Sequence, residues 1–342
     1  MQEYNPKVTP WRIREQDFPR QGTITEKLCF LLRYAILAPS SHNTQPWKFR
    51  VAGDEIQIFT DPTRWLKVAD PDQRELYISV GCALENLFIA AEHLGYNHRV
   101  TYFPQPDQAD LAAIAKFTPL VRRSFRGHEL FEAIPLRHTN HKTYDDVYRI
   151  PVADLAYLQE CCVEPGLQLH LTSDAKLREQ VQDLVVRGDA IQFADPAFRE
   201  ELGYWIGQGV FGSSWLLSHL EQLAVSYINI GKLTALRDTT MLMSAPVIGL
   251  LSSNQNDGET QVKTGQVFER ICLAAASRGI WLQPMSQIIE LPELKAELAN
   301  IFLPPGVYPQ HTFRLSYAEP EPVHTPRRPL TEVLLSPMEF LI

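Results

Sequence analysis

The run RHTNHKTY, from Arg137 to Tyr144, gathers a guanidinium, an ammonium, two imidazoles, an amide and hydroxyl groups within a few residues. Cations and donors at this density suit a phosphate or another oxyanion. A solvated basic patch ahead of a helix has the same composition, so the run alone leaves both readings open. A second polar run, LAPSSHNTQPWKF from Leu37 to Phe49, crowds small hydrogen-bonding side chains between an apolar helix and a strand. It reads either as a loop that ends a helix or as the wall of a ligand site. A third, TPRRP from Thr325 to Pro329, brings an arginine pair that either completes an anion site or is a charged tail.

Other chemistries find less support. His138 and His141 are close, but no Cys or acidic partner stands at liganding distance in sequence, so no metal is expected. Ser and His are adjacent in PSSH without a nucleophile elbow. Gly207, Gly209 and Gly212 spell G-x-G-x-x-G, yet a dinucleotide fingerprint needs a strand before it, and DPAFREELGYWI reads as helix. A Gly-rich connector is the better reading there.

The elements that must position these runs alternate along the chain. Thr23 and Glu26 have capping-box spacing ahead of a helix whose apolar stripe is Leu28, Leu31, Leu32 and Ala35. WKFRVAGDEIQIFTD reads as two strands around a Gly53-Asp54 turn, ELYISVGCALENLFIAAEHLGY as a helix, and NHRVTYFP as a strand. The stretch from about Pro106 to Pro135 reads as a connector with short helices. Helix DDVYRIPVADLAYLQECC, strand LQLHLTS, helices from Ala175 to Ile206, and strands APVIGLLSS and HTFRLSYAEP follow. VFERICLAAASRGIWLQP echoes ALENLFIAAEHLGYNHRV: each is an amphipathic helix with repeated Ala, a Gly end and an apolar exit. The pattern predicts an α+β layer fold made twice.

Composition sets the bounds. At 342 residues there is room for two ordinary domains, and the formal charge of −8 argues against a general nucleic-acid or anionic-membrane binder. No apolar run is long enough to cross a bilayer, and no secretory signal is evident at the N-terminus. Five cysteines show neither metal nor disulfide spacing, which favours a reducing, cytoplasmic setting. Cys161 and Cys162 read as packed thiols near a helix end.

Together these runs resemble the flavin-dependent nitroreductase family. AILAPSSHNTQPWKF is similar to its helix-end motif, RHTNHKTY to the Arg-x-Ser-x-basic motif that normally opens its chains, and TPRRPLTEVL to its basic C-terminal segment. Here the Arg motif lies mid-chain after a complete first half, which resembles the tandem Acg-like branch. The resemblance implies a nitroreductase-like fold duplicated in tandem, with mainly antiparallel sheets flanked by helices and one chain imitating a homodimer. Its divisions would be an arm over 1–22, a first half over 23–135 and a second half over 136–342.

The resemblance also implies one composite FMN site per chain. Arg137 and Thr139 would hold the phosphate or ribityl chain, Arg327 and Arg328 would neutralise the phosphate, and Pro39, Ser40, Ser41 and Asn43 would form the opposite wall. Pro284, Met285 and Ser286 would pass the flavin N5 edge, and His141 would stand where the family usually has a cation near the pyrimidine ring. The chemistry would belong to the flavin, with no side-chain acid or base required. The implied activity is hydride transfer from NAD(P)H through flavin N5 to a small acceptor such as a nitro compound or quinone. The alternative is a low-turnover flavin-binding protein for storage, sequestration or redox sensing, its flavin covered by a lid from GQGVFGSSWLLSHLEQLAVSYINIGKL. A monomeric pseudo-dimer or a further homodimer is implied, with neither nucleic acid nor membrane as partner.

Overall fold

A computed structural model describes residues 9–120, 128–144, 149–211, 225–226, 240–319 and 323–336. The chain builds two four-stranded antiparallel sheets in sequence order. The first contains β1 (Trp47–Ala52), β2 (Glu55–Thr60), β3 (Tyr96–Tyr102) and β4 (Leu111–Pro119), ordered β1-β2-β4-β3. The second contains β5 (Leu167–Thr172), β6 (Val247–Ser253), β7 (Ile280–Pro284) and β8 (Tyr308–Tyr317), ordered β5-β6-β8-β7. The plan is the same in both, down to a register shift in the second strand of each, at Ile58/Phe59 and at Leu251/Ser252.

Helix α1 (Ile24–Ala35) starts at the expected capping box: the Glu26 amide donates to Thr23 Oγ1 at 3.2 Å and the Thr23 amide to Glu26 Oε2 at 2.7 Å. Between the second and third strands of each sheet runs a long helix, α2 (Arg74–His93) in the first and α7 (Gly258–Ala276) in the second. The intervening helices are α3 (His128–Ala133), α4 (Val152–Glu160), α5 (Ala175–Ala194) and α6 (Pro196–Gly207). Helices α2 and α7 cross at the centre of the molecule, where two glycines face each other. A Cβ on Gly81 would sit 2.0 Å from the Val262 carbonyl oxygen, and one on Gly265 would sit 1.9 Å from that of Ile78. No other residue permits so close a crossing. Almost every residue of α2 is buried, as expected of a helix covered on all sides.

One expectation is corrected. The segment LAAIAKFTP is not connector but strand β4, the partner of both β2 and β3. Alanine is a poor strand former, and here its place is set by pairing on both edges rather than by propensity. The chain then returns on itself. After β8, the C-terminal segment runs back to the first sheet, where Leu334 bridges Phe49 in parallel and the Leu335 amide donates to the Phe49 carbonyl at 2.7 Å. The first glycine of G-x-G-x-x-G ends α6, so a helix precedes the motif as expected. Most of the expected lid insertion lies outside the described residues. Among the described residues no helix is long and apolar enough to cross a membrane, and the five cysteines are free.

Candidate functional site

The loop after α1 is held in an unusual backbone. His42, Asn43 and Gln45 take φ of 47°, 51° and 53°, the left-handed region that costs a side-chain-bearing residue about 1 kcal/mol or more. Its own polar groups hold it there. Ser40 Oγ accepts from the Gln45 amide at 2.8 Å, the Ser40 carbonyl from the Asn43 amide at 2.9 Å, and Ser41 Oγ donates to Glu75 at 2.5 Å. Asn43 ties the loop outward. Its amide donates to Val210 O at 2.6 Å and Pro326 O at 3.0 Å, and its Oδ1 accepts from Arg327 Nη1 at 2.9 Å.

The Leu37 carbonyl is the meeting point of two buried arginines. Arg327 donates to it at 3.2 Å and Arg137 at 3.4 Å. Arg327 also lies 4.6 Å over the Trp11 ring, which the N-terminal arm fixes by donating from Trp11 Nε1 to Thr325 O. Beside the arginines, Glu269 projects from the middle of α7 and is fully buried. Arg137 Nε approaches its Oε1 at 3.4 Å. Asn86 approaches Glu269 from α2, but no well-formed hydrogen bond serves either carboxylate oxygen among the described residues, nor Arg137 Nε or Arg327 Nε. Burial pushes the Glu269 carboxyl up to about 8, although Arg137 and Arg327 pull the other way. Burial and repulsion from Arg137 lower the Arg327 guanidinium, which nonetheless stays charged.

A narrow pocket opens beside this cluster, lined by Arg137 and Thr139 on its polar side and by residues such as Phe268, Cys272, Trp281 and Pro284 on the other. His138 stacks on Trp281 with centroids 4.0 Å apart and is pushed down to about 4 by burial, so it is neutral near pH 7.

Of the residues singled out in the sequence, Pro39, Arg137, Thr139 and Pro284 line this pocket, and Asn43 and Arg327 stand behind it. Ser40 and Ser41 are committed to the loop and to Glu75. Arg328 turns away to Asp61 at 3.2 Å and to the Gln45 carbonyl. His141 is exposed beside Gln283. Met285 is buried, with its amide donating to Thr312 O at 2.9 Å, and Ser286 opens the turn Gln287–Glu290 by accepting at its carbonyl. Sequence reasoning missed Glu269, Cys272, Phe268 and Trp281. The available signal was a lone acid inside each of two matching apolar helices, Glu85 in ALENLFIAA and Glu269 in VFERICLAA.

No family model matches the chain. Two Mycobacterium tuberculosis proteins align along nearly all of it: a "Putative NAD(P)H nitroreductase" at 28% identity over 322 residues, covering 91% of this chain and 92% of the relative, and "Putative NAD(P)H nitroreductase acg" at 26% over 337 residues, covering 92% and 97%. The chain is thus similar along nearly its whole length to relatives named as putative nitroreductases. A further M. tuberculosis relative, 27% identical over 337 residues (89% of this chain, 92% of the relative), is described only as uncharacterised. Among solved structures, the FMN and NADPH-dependent nitroreductase NfnB from sphigopyxis sp. strain HMH matches with a TM-score of 0.44 and 16% identity, covering 62% of this chain and 99% of that one. A likeness that slight carries no inference about this nitroreductase-like chain.

Proposed function

We propose that this nitroreductase-like chain is an FMN-dependent NAD(P)H oxidoreductase acting on a small acceptor such as a nitro compound or quinone. Its two halves, 23–135 and 136–342, would form one composite site. The observation that carries the reading is the convergence of Arg137 and Arg327 on one carbonyl, each with an unpartnered Nε, behind a pocket with an apolar far wall. Two guanidinia and the Thr139 hydroxyl are the donor set a phosphate monoester takes. Phe268, Ile280, Trp281 and Leu282 offer the apolar surface a flat aromatic ring takes. The residues therefore fit FMN.

When bound, FMN supplies hydride acceptance and donation. The chain's part is to fix it and keep water out. Arg137 and Arg327 hold the phosphate end, with Asn43 setting the direction of the Arg327 fork and Leu37 O gathering both guanidinia. The Phe268–Trp281 side excludes water from the ring. Reduction of a quinone or nitro acceptor consumes a proton along with the hydride, and solvent at the pocket mouth would supply it, so no buried acid–base pair is required.

The decisive experiment is anaerobic mixing of the FMN-reconstituted protein with NADH and with NADPH. Bleaching of the flavin absorbance by either is expected. Protein that cannot be reconstituted, or bound flavin that neither reductant bleaches, overturns the enzyme reading.

A further inference from the structure

Four residues beyond the facing glycines Gly81 and Gly265, each central helix carries a buried glutamate, Glu85 on α2 and Glu269 on α7. Glu85 is fully served: Arg270 grips it with Nε at 2.7 Å and Nη2 at 3.0 Å, and Gln266 adds a third donor. Glu269 has the 3.4 Å approach of Arg137, a marginal contact from the Asn86 amide and no well-formed hydrogen bond at either oxygen. Both Glu269 oxygens, Arg137 Nε and Arg327 Nε thus lack a well-formed hydrogen bond within one buried charge cluster. Leaving a buried polar group unbonded costs about 1–3 kcal/mol, so their gathering beside a pocket marks an unfinished site.

We propose that Glu269 is the internal counter-ion of the Arg137–Arg327 pair, which an incoming phosphate monoester replaces while the Glu269 carboxylate takes up one proton from solvent. The inference rests on the FMN reading above. In the ligand-free protein above about pH 8 one carboxylate faces two guanidinia. A phosphate dianion takes over both, and an ionised Glu269 would then be a buried anion beside another. Binding one proton at a carboxylate oxygen removes that repulsion and lets the carboxyl donate a hydrogen bond.

The neighbours leave Glu269 as the group that responds near pH 8. From α2 it is faced by Cys82, Glu85 and Asn86, from its own helix by Cys272, from the loop after α3 by Arg137 and from the C-terminal segment by Arg327, with His138 and His324 beside those arginines. Burial raises both thiols well above their ordinary value, so they stay protonated. Burial lowers both imidazoles to about 4, so they stay neutral. The second ionisation of a phosphate monoester lies near pH 6, so the ligand itself takes up no proton above pH 8.

The test is titration calorimetry of FMN into the apo-protein at pH 8.5, in two buffers of different ionisation enthalpy. Uptake of roughly three-quarters of a proton per FMN is expected at this pH, with affinity falling toward about tenfold per pH unit well above pH 8. Glu85→Gln should leave the uptake unchanged and Glu269→Gln should abolish it, while riboflavin, lacking the phosphate, should bind without uptake. FMN binding with no proton uptake overturns this inference and leaves the FMN reading standing. Uptake that survives in Glu269→Gln overturns it too. Absence of any FMN binding overturns both. The wild-type measurement decides even if a variant fails to fold.

Discussion

The two central helices hold the same plan and finish it differently. One residue after each buried glutamate stands Asn86 on α2 and Arg270 on α7. Asn86 donates to the Tyr34 carbonyl at the end of α1, and Arg270 to the Cys161 carbonyl just past α4, so the two positions correspond. Arg270 crosses to Glu85 and completes it with two charged hydrogen bonds, whereas Asn86 brings Glu269 one neutral amide and no charge. Three residues after each glutamate the contrast repeats. Phe88 stacks on His98 at 3.7 Å and 8° in one half, while Cys272 leaves room beside the pocket in the other. An arginine for an asparagine and a ring for a thiol close one of two equivalent places and leave the other open to a ligand.

The largest expected effect breaks the closed side. Arg270→Ala strands Glu85 as a buried unpaired carboxylate, which costs on the order of 3–5 kcal/mol. Arg137→Ala removes only a 3.4 Å contact from a carboxyl that burial already inclines to protonate, so its stability cost should be far smaller. Its effect should fall on FMN retention, weakened by about 1–3 kcal/mol through loss of a charged hydrogen bond. Urea denaturation and FMN titration of the two variants check both halves of the contrast. Equal stability losses would show that the sites are not different in kind.

Next comes the crossing that makes the two halves face each other. Gly265→Ala puts a Cβ where the Ile78 carbonyl oxygen lies, 1.9 Å away, and backbone cannot yield as a side-chain tip does. The helices must part, at a cost of about 3 kcal/mol by the measure of overpacked cores. A midpoint of denaturation unchanged from wild type would show that the helices have room to spare.

The pH dependence separates the glutamates more finely. Glu269 has a folded value raised to about 8 from an ordinary 4.5, so the native state holds its proton where the unfolded chain has lost it. Its stability contribution is therefore full below about pH 4.5 and is lost as pH rises through 8, with a slope of up to about 1.4 kcal/mol per unit between. Asp70, raised to about 8 mainly by burial and then by Glu75, acts in the same sense. Glu269→Gln should flatten the curve of stability against pH between 5 and 8 without levelling it, because Asp70 remains. An unaltered slope would mean that Glu269 is ionised throughout.

How much of this could be read in the sequence follows from the range of each determinant. The capping box at Thr23, the Gly53 turn and the alternating apolar helices are local, and they stand where residue types and spacing place them. Strand β4 was hidden because an alanine-rich run becomes strand only through partners on both sides. At the site, Arg137, Asn43 and Arg327 were visible because their chemistry stands out from their neighbours. Glu269 was not, since a lone acid in an apolar helix acquires meaning only from the helix it crosses and from two arginines distant in sequence. The loop polarity was legible but its hydrogen bonds were not: Ser40 holds a left-handed turn and Ser41 a glutamate, partners that only the folded chain brings within reach.

The smallest expected effect tests the arginine pair itself. Arg327 and Arg328 are adjacent and were equivalent on sequence grounds, yet they point to different places. Arg327 is buried over Trp11 and shares Leu37 O with Arg137. Arg328 spans Asp61 and the Gln45 backbone, pinning the C-terminal segment to the first half. Arg327→Ala should weaken FMN binding by about 1–3 kcal/mol, as loss of a charged hydrogen bond does. Arg328→Ala should leave FMN affinity within about 0.5 kcal/mol, the usual effect of a change away from the site, and show itself only as a modest stability loss. Parallel FMN titrations decide it, and an affinity loss for Arg328 as large as for Arg327 would return both arginines to the phosphate and redraw the pocket's rear wall.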